Sequence, residues 1–433
     1  MKALLVGGGA REHAIAKKLS ESSELCVVMK NKNPGIAKLA KSFLLENETN
    51  VEKVVEFALR EKADFAVVGP EAPLEKGLSD SLEAKGIPCV GASQKAALLE
   101  TNKLFCRQFM QDNGIHCNPD FFVFDDASEA EDFLKGLEKA VVKPLGLTGG
   151  KGVKIMGPQV SKVEATEYAK SLVAKDGIVL IEDLLEGEEF SLQALVSGDK
   201  VMEMPLAQDH KRAFENDEGP NTGGMGSYSD ANHLLPFVTE KEKNEALEAM
   251  RQTMRALKKN SVEYKGVLYG QFMLTKHGPK LVEYNARFAD PEAMNVLPLL
   301  KTDFTELCWK VIDGTLGEND AVFESKATVV KYAVPEGYPE NPLKGFEISV
   351  DERKIEGMGG EVFYASVSEE GGKLSAMGSR TLAVLGKGDS IEEAQEIAEK
   401  GIETVGGRLF HRKDIGTREL VEKRVSHMKQ LRS

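Results

Sequence analysis

Cysteine is scarce and badly spaced for bonding. Cys26, Cys89, Cys106, Cys117 and Cys308 form no CxxC pair and no metal-binding spacing. That argues against a zinc ribbon or a disulfide framework and predicts free, buried thiols in a reducing compartment. Long apolar runs are missing too. Nothing approaches the roughly 18 consecutive apolar residues of a membrane span, and with a strand read from Lys2 onward no secretory leader is expected. A cytoplasmic protein with no membrane partner is expected. Positive charge is in deficit, with 56 Lys and Arg against 69 Asp and Glu and a net charge of −13. A nucleic-acid binder would show a basic excess, so no nucleic-acid partner is expected. An anionic small substrate held by local basic loops stays open. No internal repeat or low-complexity segment is visible. What is present is an ordinary globular composition, 41% hydrophobic and 29% charged over 433 residues, enough for two to four domains.

The first hundred residues alternate strand and helix. Lys2–Val6 is a short β run, followed by Gly7, Gly8 and Gly9 and a helix opening at Ala10. A glycine turn at a helix N-terminus can hold a phosphate, but residue 12 is Glu, so the G-x-G-x-x-G fingerprint is incomplete. A tight turn without ligand fits these residues equally well. Asn50 is placed to cap a helix built on Val51, Val54, Val55, Ala58 and Leu59. The strand Asp64–Val68 ends in Gly69-Pro70-Glu71-Ala72-Pro73-Leu74, a loop at the carboxyl end of a parallel strand, where open α/β sheets place ligands. A strand end at Ile87–Val90 completes a doubly wound parallel-sheet domain. A helix over Thr101–Asp112 carries Lys103.

From Asp120 the rhythm changes. Phe121–Phe124 reads as a strand, Ser128-Glu-Ala-Glu131 as a capping box, and Ala140–Lys143 as a strand entering Pro144-Leu-Gly146-Leu-Thr148-Gly149-Gly150-Lys151-Gly152. So many glycines beside a lysine can lay backbone amides over phosphates, although the spacing is not that of a Walker A loop. A helix near 161–174, a strand over Ile178–Ile181 and a polar linker with Glu182, Leu184 and Glu189 follow. The hairpin over 190–204 turns at Ser197-Gly198-Asp199. The stretch Gln208-Asp209-His210-Lys211-Arg212 through Asn221-Thr222-Gly223-Gly224-Met225-Gly226 reads as a long irregular loop, and such loops are usually functional. His210 is expected to be a neutral packing residue. After an amphipathic helix over 240–259, the strands Tyr269–Leu274 and Leu281–Asn285 form a hairpin. If Thr275 pairs with Pro279, Gln271 faces Glu283, and Asn285 shares their face. Oxygen donors of this kind suit a hard cation, although a solvated polar face explains the spacing as well. Beyond Ser325 a separate piece is expected, with strands near 329–334 and 381–385, a helix capped at Ser390, and a basic loop at Phe410–Gly416.

These motifs together resemble the ATP-grasp enzymes, and most closely the phosphoribosylamine–glycine ligase family. Gly69–Leu74, Gln208–Arg212, Gly219–Gly226, Arg287-Phe-Ala-Asp-Pro-Glu292 and Arg412-Lys-Asp-Ile-Gly416 carry the resemblance in the family's order along nearly the whole chain. It implies an α/β multidomain protein: an N-terminal parallel-sheet domain over 1–100, an ATP-grasp domain over 101–324 with a mobile lid at about 120–187, and a C-terminal α+β domain over 325–433. The implied reaction is ATP-dependent ligation of glycine to 5-phosphoribosylamine through glycyl phosphate, in purine biosynthesis.

Carried over position by position, the resemblance implies that Lys103 and Lys143 hold the ATP phosphates under the loop Gly149, Gly150, Lys151 and Gly152. Glu182 and the Leu184 backbone would meet adenine, and Glu189 the ribose. Glu283 would bridge two Mg²⁺ or Mn²⁺ ions, with Gln271 on one and Asn285 on the other. Arg287, Asp209 and Lys211 would serve glycine and the acyl phosphate. Gly7, Gly8, Gly9, Pro70, Glu71, Asn221, Gly223, Gly224 and Asp290 would bind substrate, with phosphoribosylamine at the first five. A monomer is expected. Departures from the family pattern are Ala289 in place of Gly, Asn33-Pro34-Gly35 in place of Pro-Gly-Asn, Met377-Gly378-Ser379-Arg380 in place of Asn-Gly-Gly-Arg, and an amide, Gln271, where many ATP-grasp enzymes carry a carboxylate. Another ATP-grasp ligase and a non-catalytic nucleotide-binding protein are the alternatives.

Overall fold

The computed structural model of the chain describes residues 1–146 and 152–433. Its first strand, β1 (Lys2–Val6), is apolar and buried from Ala3 to Val6. Strands β2 (Glu24–Met29), β3 (Ser42–Leu45), β4 (Phe65–Val68) and β5 (Cys89–Val90) join it in a parallel sheet of order β3-β2-β1-β4-β5. Near-continuous apolar strands are what a parallel sheet covered on both faces demands. Asn50 caps the helix Val51–Glu61, accepting from the Lys53 amide. Two expectations shift here. Residues 69–74 are not all loop, because a short helix, Glu71–Glu75, starts after Pro70. The helix expected over 101–112 is broken at Asn102. Its backbone is extended and its side chain accepts from the Phe105 amide, capping a fresh helix, Lys103–Asp112. An asparagine that bonds its own backbone competes with helix continuation.

The lid is a four-stranded sheet, β6-β9-β7-β8, from β6 (Phe121–Phe124), β7 (Ala140–Lys143), β8 (Lys154–Met156) and β9 (Val179–Glu182). It has its own core, in which Leu134, Val142, Met156 and Ile181 pack together. The helix Ala127–Lys135 is capped by Asp126, not Ser128. Asp126 holds extended backbone and accepts from the amides of Ser128 and Glu129.

The base on which the lid sits is the antiparallel sheet β11-β10-β16-β17. Its strands are β10 (Glu188–Ser197), β11 (Lys200–Glu203), β16 (Lys265–Thr275) and β17 (Gly278–Asn285). The stretch expected to lack regular structure holds β12 (Gln208–Asp209), β13 (Arg212–Phe214), β14 (Glu218–Asn221) and β15 (Gly226–Ser229). β12 and β15 enter the six-stranded sheet β12-β15-β18-β23-β20, in which β24 also pairs with β18. Here β18 is Ala327–Pro335, β20 Gly360–Tyr364, β23 Leu382–Gly388 and β24 Leu409–Phe410. The C-terminal sheet therefore takes two strands from upstream of residue 325. A smaller sheet, β19-β22-β21, flanks it, with β19 at Glu347–Ile348, β21 at Val367–Glu370 and β22 at Lys373–Ala376. All five cysteines are free and buried. No helix among the described residues is long and apolar enough to cross a membrane.

Lid and base meet at Gly187. A Cβ placed there would stand 1.9 Å from the Leu274 carbonyl oxygen, beside the Glu188–Leu274 pair of the β10–β16 ladder. Gly187→Ala is expected to open that end of the ladder, destabilise the protein by about 1–3 kcal/mol and weaken ATP binding through Glu189. Thermal unfolding and nucleotide titration check it, and an unchanged midpoint with unchanged affinity would contradict it.

Candidate active site

The β16–β17 hairpin pairs Thr275 with Gly278, one residue away from the register the sequence suggests. A bulge at Val282 restores the difference, so Gln271 does face Glu283. The bulge has a use. It turns the Val282 carbonyl toward Arg107, whose Nη2 donates to it at 2.7 Å. Bulges re-aim groups in this way near functional sites.

Around Glu283, Asn285 Nδ2 donates to Glu283 Oε1 at 3.4 Å, and Arg287 Nη2 donates to Asn285 Oδ1 at 2.9 Å. Gln271 Nε2 donates to Glu189 Oε2 at 2.5 Å, and Lys211 Nζ lies 3.2 Å from the same carboxylate. Burial opposes ionisation of Glu283, but Lys211, Lys103 and Lys143 outweigh it and hold its carboxyl below the ordinary value. Burial also opposes the Lys211 charge, which Glu189, Glu283 and Asp209 raise nonetheless. Burial lowers the pKa of Lys103, whose Nζ donates to the Gly146 carbonyl at 2.9 Å.

One carboxylate and two amides give a hard cation oxygen donors, which suits Mg²⁺. Among the described residues no group of three or more His, Cys, Asp or Glu could hold a metal on its own. With three lysines nearby, the donor set fits a cation that shares its shell with phosphates, as Mg²⁺ commonly does. Mg²⁺ alone at millimolar concentration is therefore expected to leave the melting temperature unchanged, and Mg²⁺ with ATP to raise it by several degrees. A shift with the metal alone would contradict this.

Lys143 and Glu182 are both buried and bonded to each other, Nζ to Oε2 at 2.6 Å. Arg107 grips the same carboxylate with Nε at 2.7 Å and Nη2 at 3.1 Å. Burial works against the Glu182 charge, but Arg107 and then Lys143 hold its carboxyl at about 2. Glu182 thus anchors a lysine and an arginine at the end of the lid strand β9, next to the partly exposed Leu184. Gly152 accepts a hydrogen bond from the Tyr168 hydroxyl at 2.7 Å. Gly149, Gly150 and Lys151 lie outside the described residues.

On the N-terminal side, Gly7 N–H donates to the Val28 carbonyl. Gly9 N–H donates to the Glu12 carboxylate at 2.8 Å. Glu12 also takes Arg11 Nε at 2.6 Å, so the position where an anion would enter the helix N-terminus already holds a side-chain carboxylate. It needs that room: a Cβ on Gly69 would stand 2.3 Å from Glu12 Oε1. Asn33, fully buried, donates to the carbonyls of Gly8 at 2.9 Å and Tyr364 at 2.7 Å, so it ties the glycine turn to β20. Pro70 holds the N-cap position before Glu71. Arg287 spans the two domains, with Nε 3.3 Å from Glu71 and Nη2 3.0 Å from Glu100. Burial, opposed by Arg287, lifts the Glu100 carboxyl to about 7. Arg11 reaches across as well, donating to the Phe288 carbonyl at 3.0 Å.

The Gly223–Gly224 turn is closed from the C-terminal side. Arg380 donates to the carbonyls of Gly223 and Gly224, pairs with Asp290 at 3.2 Å and stacks over Tyr332. Tyr332 donates to Asp290 Oδ1 at 2.6 Å. Asn221 pairs with Arg212 in the β13–β14 hairpin. Gly224 has φ +104°, and a Cβ there would meet Asp209 Oδ1 at 2.5 Å. His210 is buried, and burial lowers its pKa to about 3, so it is neutral, as expected of a packing residue. Ala289 is not among the positive-φ residues, so alanine fits where the family commonly has glycine. Sequence reading missed Arg107, Glu100 and Arg11, which stand on ordinary helices with no local signal. Glu12 was noticed only as a missing glycine.

A lid with its own core, a base sheet whose Glu283 meets lysines brought by a helix, the lid and the turn after β12, and a parallel-sheet domain beside them define an ATP-grasp protein. The chain belongs to the phosphoribosylglycinamide synthetase family. Its N domain matches residues 1–100, its ATP-grasp (A) domain 101–293 and its C domain 328–418. The chain is 53% identical over 435 residues to the phosphoribosylamine–glycine ligase of Pyrococcus furiosus, covering all of this chain and 98% of that one. It is 50% identical over 444 residues to that of Methanocaldococcus jannaschii, covering both chains fully. Among solved structures, the phosphoribosylamine–glycine ligase of Thermotoga maritima matches with a TM-score of 0.81 at 27% identity, over 96% of this chain and 100% of that one.

Proposed function

We propose that this chain is an ATP-dependent carboxylate–amine ligase that joins glycine to 5-phosphoribosylamine, giving glycinamide ribonucleotide, ADP and phosphate, in purine biosynthesis. The observation that carries it is the convergence of Lys103, Lys143 and Lys211 on Glu283, with Arg287 linking that row to Glu71 of the N-terminal domain. A carboxylate is a poor acyl donor until one oxygen becomes a phosphate leaving group. In the first step a glycine carboxylate oxygen attacks the γ-phosphorus and the bond to the β-phosphate oxygen breaks, releasing ADP. In the second the amine attacks the carbonyl of glycyl phosphate, loses a proton, and phosphate departs with the C–O bond. Both steps need positioning and charge neutralisation more than covalent help.

The lysines would steady the phosphates, and Glu182 would keep Lys143 and Arg107 in place. Leu184 and Glu189 would receive the nucleoside, and Lys211 and Arg287 the transferring phosphoryl group and the carboxylate. Gly8, Pro70 and Glu71 remain the candidates for phosphoribosylamine. Glu12 already takes the Gly9 amide, which leaves that turn less room for a phosphate. Gln271, Glu283 and Asn285 would hold two Mg²⁺ or Mn²⁺ ions, which neutralise the phosphate charge when bound. We read the protein as a cytoplasmic monomer. ADP release should require both glycine and freshly made phosphoribosylamine, with a product of the mass of glycinamide ribonucleotide. ADP release driven equally by another acid would point to a different ligase, and saturable ATP binding without turnover to a binding protein.

A further inference from the structure

The last helix, Arg418–Arg432, carries no residue of the active site, yet it packs behind the strand that bears Glu189. Arg424 Nη1 lies 3.2 Å from Glu188 Oε2, and His427 Nδ1 lies 2.6 Å from Glu188 Oε1. The Glu188 side chain is 7% exposed, and a carboxylate so buried depends on its partners for its charge. Glu188 and Glu189 are successive residues of β10, and successive side chains on a strand point to opposite faces. The helix therefore grips the back of the strand whose front carries Glu189.

At Glu188 and Glu189 the β10 ladder is one-sided among the described residues. β16 pairs with both, whereas β11 reaches only Ala194–Ser197 on the other side. The Glu189 carbonyl accepts instead from a side chain, Gln208 Nε2 at 2.9 Å, and Gln208 Oε1 accepts from the Tyr228 hydroxyl at 2.7 Å. Just upstream runs the lid linker, residues 183–187, which holds no helix or strand. A strand end of this kind takes its position from side-chain contacts more than from its ladder.

The same arginine holds a second segment. Its Nη2 donates to Asp217 Oδ2, in the turn between β13 and β14, where Arg412 Nη1 also reaches Asp217 Oδ1 at 3.1 Å. Lys211 stands directly before β13, and its Nζ lies 3.2 Å from Glu189. Arg424 thus joins the two segments from which Glu189 and Lys211 come.

We propose that Arg424 is a positioning residue for the nucleotide: by clasping Glu188 and Asp217 it sets Glu189 against Lys211, so that Glu189 meets the ribose hydroxyls. The inference rests on the reading of Glu189 as the ribose contact and deepens it. Arg424 acts at one remove, through two carboxylates that are not themselves assigned to a ligand.

The test is a double-mutant cycle on the full chain with Arg424→Gln and Glu189→Gln. Calorimetric titration with Mg²⁺ gives the Kd of ATP, 2′-deoxyATP and 3′-deoxyATP, and preference is taken against the analogue that the unmodified chain binds more weakly. Arg424→Gln should weaken ATP binding about tenfold and lower that preference about fivefold, and in the Glu189→Gln background its effect should shrink to within about twofold. Arg424→Lys, which keeps the charge, should stay within about threefold of the unmodified chain. The melting midpoint without nucleotide reports the fold. If Arg424→Gln does not fold, His427→Gln, at a half-buried position, takes its place in the cycle, with effects of the same sign. Equal weakening of ATP and both analogues, or an undiminished effect in the Glu189→Gln background, overturns this inference alone. A Glu189→Gln chain that keeps the full preference overturns the ribose assignment and this inference with it. Both readouts are binding, so they stand apart from whether ADP release requires glycine.

Discussion

Replacing Glu283 with glutamine is expected to lower turnover by a factor of about 10²–10³, corresponding to roughly 3–4 kcal/mol of lost transition-state stabilisation. The substitution keeps the side chain's shape and the Asn285 contact, so the fold should stand. What it removes is a carboxylate charge on which Lys211, Lys103 and Lys143 all act. The cation then keeps only amide oxygens from the protein, and the phosphate charge in flight is neutralised less well. ATP binding should change little, because the lysines remain. Steady-state turnover at ordinary Mg²⁺, with ATP affinity measured in parallel, separates the two. Near-normal turnover would sink the assignment of Glu283.

Arg107→Ala should produce the largest loss of stability. Arg107 and Glu182 are 3% and 4% exposed and bonded through two nitrogens. Breaking a buried pair by removing one partner costs about 3–5 kcal/mol, and the surviving Lys143 bond places this case near the lower end. The same group sets an acid limit. The Glu182 carboxyl sits at about 2 against an ordinary 4.5. A depressed carboxyl contributes stability that is fully present above its unfolded pKa and is lost as pH falls through the folded one. The unmodified protein should therefore lose roughly 3 kcal/mol between about pH 4.5 and 2. Arg107→Ala should move that loss to higher pH. Acid unfolding followed by circular dichroism checks both, and coincident curves for the two proteins would contradict the triad's role.

Much of this arrangement was legible in the sequence where the signal was local. The helix Glu240–Lys259 announced itself by its amphipathic spacing, and Thr239 caps it with Glu242 answering. Of the parallel-sheet strands, β1, β4 and β5 were legible from short apolar runs ending in glycine, whereas β2 and β3 run into Lys30 and Glu46 and carried no such mark. The Gln271–Glu283 row was reached with a register one residue out, and the Val282 bulge, which no propensity encodes, supplied the correction. Three features stayed hidden, the first two for a common reason. β12 and β15 are two and four residues long, and β15 finds its partner in β18, about a hundred residues later. Arg107 meets Glu182 across 75 positions. Glu12 fills its own glycine turn, so a reading that looked for a ligand there overlooked the side chain three residues on. Pairings set by tertiary packing leave no mark in a local window.

The central claim is that the γ-phosphoryl group passes to the carboxylate of glycine. Turnover with glycine labelled with ¹⁸O in both carboxyl oxygens tests it most directly. Each phosphate released should carry one ¹⁸O atom from glycine, and the amide product should retain the other. Unlabelled phosphate, or label appearing in the nucleotide product instead, would contradict the acyl-phosphate route.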